Sequence, residues 1–520
     1  MTTLPEQYRP LTLTSGIHLA ARRTPDKRAV QEGTRGLTYR ELSARIDAVA
    51  QGLLDRGLQR GDRVAVLAPN CLEYPELVCG IADAGLVAVT VNPRAHPREL
   101  ADLVEDSRPR MLFVHPSLVP IAAAAPAAAT DPAELASLLD TQVVLGPGYE
   151  TWREAPRARH ALPALTEFDP LVLVYTSGTT GRAKGLLLPH RARTLLFMAK
   201  AMRYLCYGPE DRHLGIAPMA LGAGFGFGMC ALYFGGFLEI LPAFDAQTVL
   251  RKLSTEPFTS TFVVPSHLQA LLDLPSEVLQ SHRGAQRSLK AIVCNAAALP
   301  FPLKQRTVEY FGPGLLHETY GFTEAGIVTN LPPEDQLRKP GSVGRPFPLV
   351  DVRLLDDAGQ PVPVGEVGEI HVSSPYLFNG YWNRPEDTAA CTRDGFVSAG
   401  DLARQDEDGC VYIVDRRKDM VVTGGINIYP REIEDVLVAH PQVAEVAVIG
   451  LPDPRWGERL CACIVATGSS TPTAEALIEF CRASLAGYKV PREFRFVDAL
   501  PRNTNGKVLK RVLRETAATA

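Results

Sequence analysis

Apolar positions along this chain recur with two periods, and the period switches from segment to segment. In residues 37–57 the positions Leu42, Ile46, Val49, Ala50, Leu53 and Leu54 fall at helical spacing. Residues 63–67 (RVAVL) predict a strand, 73–85 a helix, and 86–91 (LVAVTV) a second strand. Strands alternating with helices predict a parallel α/β sheet. Residues 171–174 form another apolar run that reads as a buried strand. Residues 121–139 are Ala-rich with Pro126 and Pro132, which predicts a surface helix or loop. Residues 343–372 break into short strands with turn signals such as DDAGQ, a smaller β-rich subdomain. Near the C-terminus, 432–438 and 474–485 read as helices, and 443–450 and 460–466 as strands, together a small α+β unit.

Length and composition narrow the picture. A chain of 520 residues exceeds one hydrophobic core, so more than one domain is expected. The net charge of −4 gives no bulk electrostatic case for nucleic acid or an acidic membrane. The ten cysteines include no C-x-x-C pair, which argues against a metal ribbon or disulfide framework and suits a reducing cytoplasm. The N-terminus shows no basic-then-apolar leader, and a cytoplasmic location is expected. Residues 216–238 carry no charge over a length that could span a bilayer. Six glycines and Pro218 in that segment favour a buried substrate-lining stretch over a membrane span.

Candidate chemistry is densest at 175–185, YTSGTTGRAKG. Thr176, Ser177, Thr179 and Thr180 bring hydroxyls; Gly178, Gly181 and Gly185 permit close backbone approach; Arg182 and Lys184 bring charge. Exposed N–H groups, hydroxyls and cations suit a polyphosphate. The spacing is not that of a G-x-x-x-x-G-K-[ST] loop, and an ordinary flexible loop remains the alternative. Residues 320–324 (YGFTE) couple an aromatic ring, a Gly, a hydroxyl and a carboxylate, although a buried Tyr in a turn explains them equally well. Asp401 in SAGD suits vicinal hydroxyls or simply a turn cap. Residues 415–419 (DRRKD) are a solvated charge run or a hinge. In 422–434 (VTGGINIYPREIE) a Gly-Gly turn enters a helix, and in 501–510 (PRNTNGKVLK) Lys507 follows a Gly, each open to a purely structural account.

Taken in this order, the motifs resemble the adenylate-forming superfamily: acyl-CoA synthetases, aryl-CoA ligases, luciferases and peptide-synthetase adenylation domains. The likeness runs from about Pro25 to Arg511. It implies a large N-terminal α/β domain with parallel sheets over 1–417, and a small mobile α+β domain over 418–520, hinged at Lys418. It implies ATP between the domains. Residues 176–184 (Thr176, Ser177, Gly178, Thr179, Thr180, Gly181 and Lys184 among them) would wrap the β- and γ-phosphates. Tyr320 would stack on adenine over the backbone of Asn295, Ala296, Ala297 and Ala298, and Asp401 with Arg416 would bind the ribose. Thr323 would touch the α-phosphate, Glu324 and Thr179 would hold Mg²⁺, and Lys507 would bridge the attacking carboxylate and the α-phosphate. Gly424 and Gly425 would line the CoA tunnel in the second step. The acid pocket would be lined by Leu221, Gly222, Phe225, Gly226, His267, Asn295, Ala296 and Gly321.

The implied activity is ATP-dependent activation of a small or aromatic carboxylic acid as its adenylate, then transfer to the thiol of CoA. Two alternatives stand beside it: loading of a carrier protein or activation of an oxyanion such as nitrite, and a catalytically silent nucleotide-binding protein. Only 13 residues follow Lys507, so no carrier domain is expected on the chain itself. No Asp lies near Phe225 to hold an α-amino group. Two positions depart from the family pattern: Leu221 stands where many CoA-forming relatives carry His, and Asn295-Ala296 replaces a Gly-Gly pair. Both lie on the acid side of the site and leave the identity of the acid open.

Overall fold

The computed structural model describes residues 9–176, 183–424, 426–468, 471–502 and 508–519. They form two compact units, Met1–Pro340 with Gly344–Asp351 and Ser373–Val397, and Ser398–Ala520 with Gly341–Val343 and Val352–Val372.

In the first unit one sheet orders the strands Val143–Val144, Met111–Val114, Arg63–Leu67, Val87–Val91, Pro170–Thr176 and Lys184–Pro189. Its neighbours run parallel except for the closing antiparallel hairpin. All five residues of Val87–Val91 are buried, and they alternate between two cores. Ala88 faces the cluster that includes Leu42, Ile46 and Val49, whereas Val87, Val89 and Val91 face one that includes Leu100 and Val104. A parallel strand covered on both faces has no polar side to display, which is why LVAVTV reads as one apolar run. The helix Tyr39–Asp55 starts at Thr38, whose hydroxyl accepts from the Glu41 N–H while Glu41 accepts from the Thr38 N–H. That helix packs on Glu73–Asp83 so closely that a Cβ on Gly80 would stand 2.5 Å from the Val49 side chain.

The second sheet of this unit runs Arg345–Pro346, Gly326–Leu331, Leu316–Phe322, Ala291–Cys294, Ser260–Val263, Arg212–Gly215, Phe237–Ile240, Arg28–Glu32, Arg35–Thr38. From Leu316–Phe322 to Arg28–Glu32 every neighbour is parallel. The uncharged stretch 216–238 becomes a loop, the helix Gly222–Tyr233 and the start of the strand Phe237–Ile240. Among the described residues no helix is long and apolar enough to cross a membrane. The Ala-rich region is helical, with Val119–Ala124 and Pro132–Asp140, and it buries Ala122, Leu135 and Leu138; it is a cover on the sheet rather than a loose surface segment.

In the second unit Asp401–Gln405 lies between Gly368–Ser373 and Val411–Arg416, antiparallel to both. Further on, Val443–Asp453 and Gly457–Ala466 form a long hairpin, with Glu493–Phe496 parallel to its second strand. The helices Pro430–Leu437 and Ala474–Arg482 bury Ile433, Leu437, Leu477 and Cys481 in the same core as Val448 and Ile464. The first of these helices begins two residues earlier than the apolar pattern indicates. Pro430 presets the helical φ at its first position, and the Asp415 carboxylate accepts from the Arg431 N–H. The α/β class, with parallel sheets in the large part and a small α+β C-terminal part, is as the sequence implies.

Candidate active site

Five parallel strands of the first unit end at the segments singled out by sequence. Pro170–Thr176 ends at the Gly/Thr loop, Arg212–Gly215 ahead of Leu221, Ser260–Val263 ahead of His267, Ala291–Cys294 at Asn295, and Leu316–Phe322 at Thr323. The carboxyl edge of an open α/β sheet is where ligands bind in such folds. There the side chains come from loops while the strands hold their positions.

Ser177, Gly178, Thr179, Thr180, Gly181 and Arg182 lie outside the described residues, as do Gly425 and Lys507; Thr176 is described only in its backbone. The hairpin that carries the loop is placed, with Thr176 paired to Lys184. At its base the Gly185 carbonyl accepts from the Trp382 N–H, and Leu186 bridges Tyr381.

Tyr381, which the sequence reading did not single out, gathers the charged groups. Its hydroxyl donates to Glu324 Oε1 at 2.5 Å. The Lys184 ammonium lies 5.2 Å from the centre of its ring and 2.8 Å from Asp387 Oδ1. Burial, then the Glu324 carboxylate, push the phenol well above its ordinary pKa, so it stays a donor at neutral pH. Glu324 is thereby fixed by one oxygen, and its backbone carbonyl accepts from the Phe378 N–H. The other carboxylate oxygen makes no hydrogen bond among the described residues, and a hard oxygen donor of this kind fits Mg²⁺. Tyr381 and Asp387 fall outside every motif; backbone pairing of residues 185–187 with 379–382 reveals their place.

Tyr320 is half-buried on the strand Leu316–Phe322, with Phe322 6.3 Å away between ring centres. Gly321 sits at a register shift, and a Cβ there would lie 2.0 Å from the Gly326 carbonyl oxygen. The close approach it serves is to the facing strand. Asn295 donates to Thr319 Oγ1 at 2.7 Å and accepts from the Ala296 N–H. Ala296, Ala297 and Ala298 are exposed, and Ala296 holds φ +76°, a left-handed conformation that Gly adopts freely and an L-residue does not. His267 stacks on Phe244, with ring centres 4.3 Å apart, and burial lowers its pKa to about 4. It is therefore a neutral ring at physiological pH.

On the helix Gly222–Tyr233, Phe225 and Gly226 are buried while Leu221 and Gly222 are half-exposed. Its glycines do not all leave free volume. A Cβ on Gly224 would meet the Pro218 carbonyl oxygen at 2.2 Å.

In the second unit Asp401 and Arg416 are cross-strand partners, with Nε 3.0 Å from Oδ1. Asp401 is buried and Arg416 partly open. A carboxylate and a guanidinium so paired present acceptors and donors side by side, as two vicinal hydroxyls require. Lys418 lies in an exposed turn closed by the Asp419 and Met420 N–H groups on the Arg416 carbonyl. Gly424 has φ +57°, and a Cβ there would stand 2.9 Å from the Trp456 ring. All ten cysteines are free. Among the described residues no group of three or more His, Cys, Asp or Glu side chains is arranged to hold a metal.

Residues 17–382 match the family described as AMP-binding enzyme, and residues 432–507 match the AMP-binding enzyme C-terminal domain. A feruloyl-CoA synthase from Amycolatopsis sp is 38% identical over 95% of this chain and 96% of its own. The fatty acid–[acyl-carrier-protein] ligase ScoC from Streptomyces coeruleorubidus is 33% identical over 98% and 96%. The solved structure of ATP-bound MatB from Rhodopseudomonas palustris superposes with a TM-score of 0.86 at 32% identity, covering 96% of this chain and 98% of that one.

Proposed function

Because the chain belongs to the AMP-binding enzyme family, we propose that it couples a carboxylic acid to AMP at the expense of ATP and then passes the acyl group to the thiol of CoA. The observation that carries this reading is the convergence on Tyr381 of Lys184, at the base of the Gly/Thr hairpin of one sheet, and Glu324, just past the strand Leu316–Phe322 of the other. A cation and an anchored carboxylate are thus held together where a polyphosphate and its counter-ion would need them.

In the first step an oxygen of the acid attacks the α-phosphorus, the bond to pyrophosphate breaks, and an acyl-adenylate remains. Two anions must meet, so cations have to offset the repulsion. In this reading residues 176–184 and Lys184 hold the β- and γ-phosphates, Thr323 the α-phosphate, Tyr320 the adenine, and Asp401 with Arg416 the ribose. Mg²⁺, held by Glu324 and Thr179, supplies further charge neutralisation when bound. Lys507 contacts the attacking carboxylate. In the second step the sulfur attacks the acyl carbon and AMP leaves. Gly424 and Gly425 line the thiol's path, after residues 418–520 have turned about Lys418. A small or aromatic acid and a cytoplasmic site complete the proposal.

The similarity to ScoC favours a second acceptor, the thiol of a separate carrier protein. An ATP–pyrophosphate exchange screen over carboxylic acids, followed by thioester assays with CoA and with a holo-carrier protein, decides between the two. Lys507→Ala is expected to lower exchange by about 10²–10³ while ATP still binds, the loss typical of one positioned transition-state charge. Exchange that survives this change removes Lys507 from its role.

A further inference from the structure

The helix His190–Tyr204 turns two cations, Arg193 and Lys200, toward the pocket helix Gly222–Tyr233. They stand seven residues apart, on one face. Both are buried, Arg193 at 7% and Lys200 at 2% exposure. Lys200 Nζ donates to the Gly226 carbonyl at 2.9 Å and lies 3.8 Å from the centre of the Phe227 ring. A Cβ built on Gly222 would stand 3.4 Å from Arg193 Nη2. One on Gly226 would stand 3.1 Å from Lys200 Nζ and 3.9 Å from Arg193 Nη1. Both guanidine and amine therefore border the two glycines expected to line the acid pocket. The same helix reaches the YGFTE turn, where Leu196 would lie 3.3 Å from a Cβ on Gly326.

Neither cation has a counter-charge among the described residues. Among the described residues Arg193 has no hydrogen-bond or ion-pair partner, its Nε is buried and unsatisfied, and Lys200 has the one carbonyl acceptor. Buried Lys304, by contrast, meets Glu318 at 2.6 Å, and half-buried Lys252 and Arg45 meet Glu239 at 2.6 Å and Glu76 at 2.5 Å. An unpaired buried charge is costly, and burying two that repel each other is costlier. Burial lowers Lys200 to about 7 and Arg193 to about 10. The titratable neighbours of Lys200 are Arg193, the Cys230 thiol and His213, which burial keeps neutral, so among the described residues no anion faces it.

We propose that Arg193 and Lys200 form an anion-binding end of the acid pocket, and that the acid activated carries a second anionic group which docks between them. This rests on the acid-activating reading above. The acid's reacting carboxylate goes to the phosphates, and the second group supplies the counter-charge that the helix pair lacks.

The test compares chain-matched pairs, adipate with hexanoate and 4-carboxycinnamate with cinnamate, in ATP–pyrophosphate exchange and in thermal stabilisation of the protein. Wild type is expected to favour the dianionic member of at least one pair by about tenfold or more in kcat/KM. Arg193→Met and Lys200→Met should collapse that ratio toward one, mainly through KM. Both variants remove an unpaired buried charge, so the ligand-free proteins should melt at or above the wild-type Tm. A lower Tm would make the cations structural and overturn the proposal. So would a preference for the monoanions, an equal loss on both members of a pair, or exchange with nitrite alone. Exchange without dianion preference removes the subsite and leaves acid activation standing. Dianion-specific stabilisation that Lys200→Met abolishes, without any exchange, keeps the subsite and removes acid activation.

Discussion

A phenol that donates to a carboxylate orients it and also leaves its second oxygen open to a metal. Tyr381 does this for Glu324, so Tyr381→Phe should loosen the carboxylate without displacing the fold. A hydrogen bond to a charged group contributes about 1.5–3 kcal/mol. Exchange at limiting Mg²⁺ should therefore fall about ten- to a hundredfold and recover in part as Mg²⁺ is raised. A loss indifferent to Mg²⁺ would detach Tyr381 from that role. Ala296 poses the converse case, a residue in a conformation that suits another. A left-handed φ costs an L-residue about 1–2 kcal/mol, against about 0.5–1 kcal/mol for the extra freedom of an unfolded Gly. Ala296→Gly should then stabilise the protein by roughly 0.5–1 kcal/mol, read as a small rise in Tm; a fall would contradict the backbone geometry. The sequence already marks this position as one where a Gly pair is replaced, but the strain shows only in the dihedral.

At the scale of elements, the strands that end at the site are held by contacts that leave no room for a methyl group. The register shift between Tyr320 and Gly321 brings Gly321 against the Gly326 carbonyl. Gly321→Ala is expected to cost about 1–3 kcal/mol or more, as overpacking does. It should also displace Tyr320 and Thr323 from their neighbours, so the urea midpoint and nucleotide affinity should fall together. Retained affinity with a lowered midpoint would confine Gly321 to a structural role. The YGFTE pattern announces a close approach, and pairing with Gly326–Leu331 names what is approached. The element boundaries were legible to within a few residues, because burial on both faces of Val87–Val91 and on one face of Tyr39–Asp55 leaves different periods in the sequence. The individual roles of the glycines of 222–228 were not legible, since Gly224 accommodates a carbonyl and Gly226 an ammonium from other segments of the chain.

Over the whole molecule the proposed two-step chemistry calls for a hinge, and Lys418 occupies an exposed turn between Val411–Arg416 and Val421–Thr423. Lys418→Pro would restrict φ there. It should depress thioester formation while sparing acid-dependent pyrophosphate exchange; equal loss of both would indicate misfolding instead. Local patterns were readable in one dimension. The alternating α/β order, the carboxylate of the YGFTE turn and the Asp401 turn follow from residue type and spacing, since those features act over a few neighbouring positions. Chain folding in three dimensions settled which distant groups meet. Tyr381 reaches Glu324 across 57 residues of chain, Lys184 meets Asp387, and Arg193 and Lys200 find no carboxylate among the described residues. Partnership between remote side chains depends on how strands register and helices pack, and a linear pattern carries no record of it.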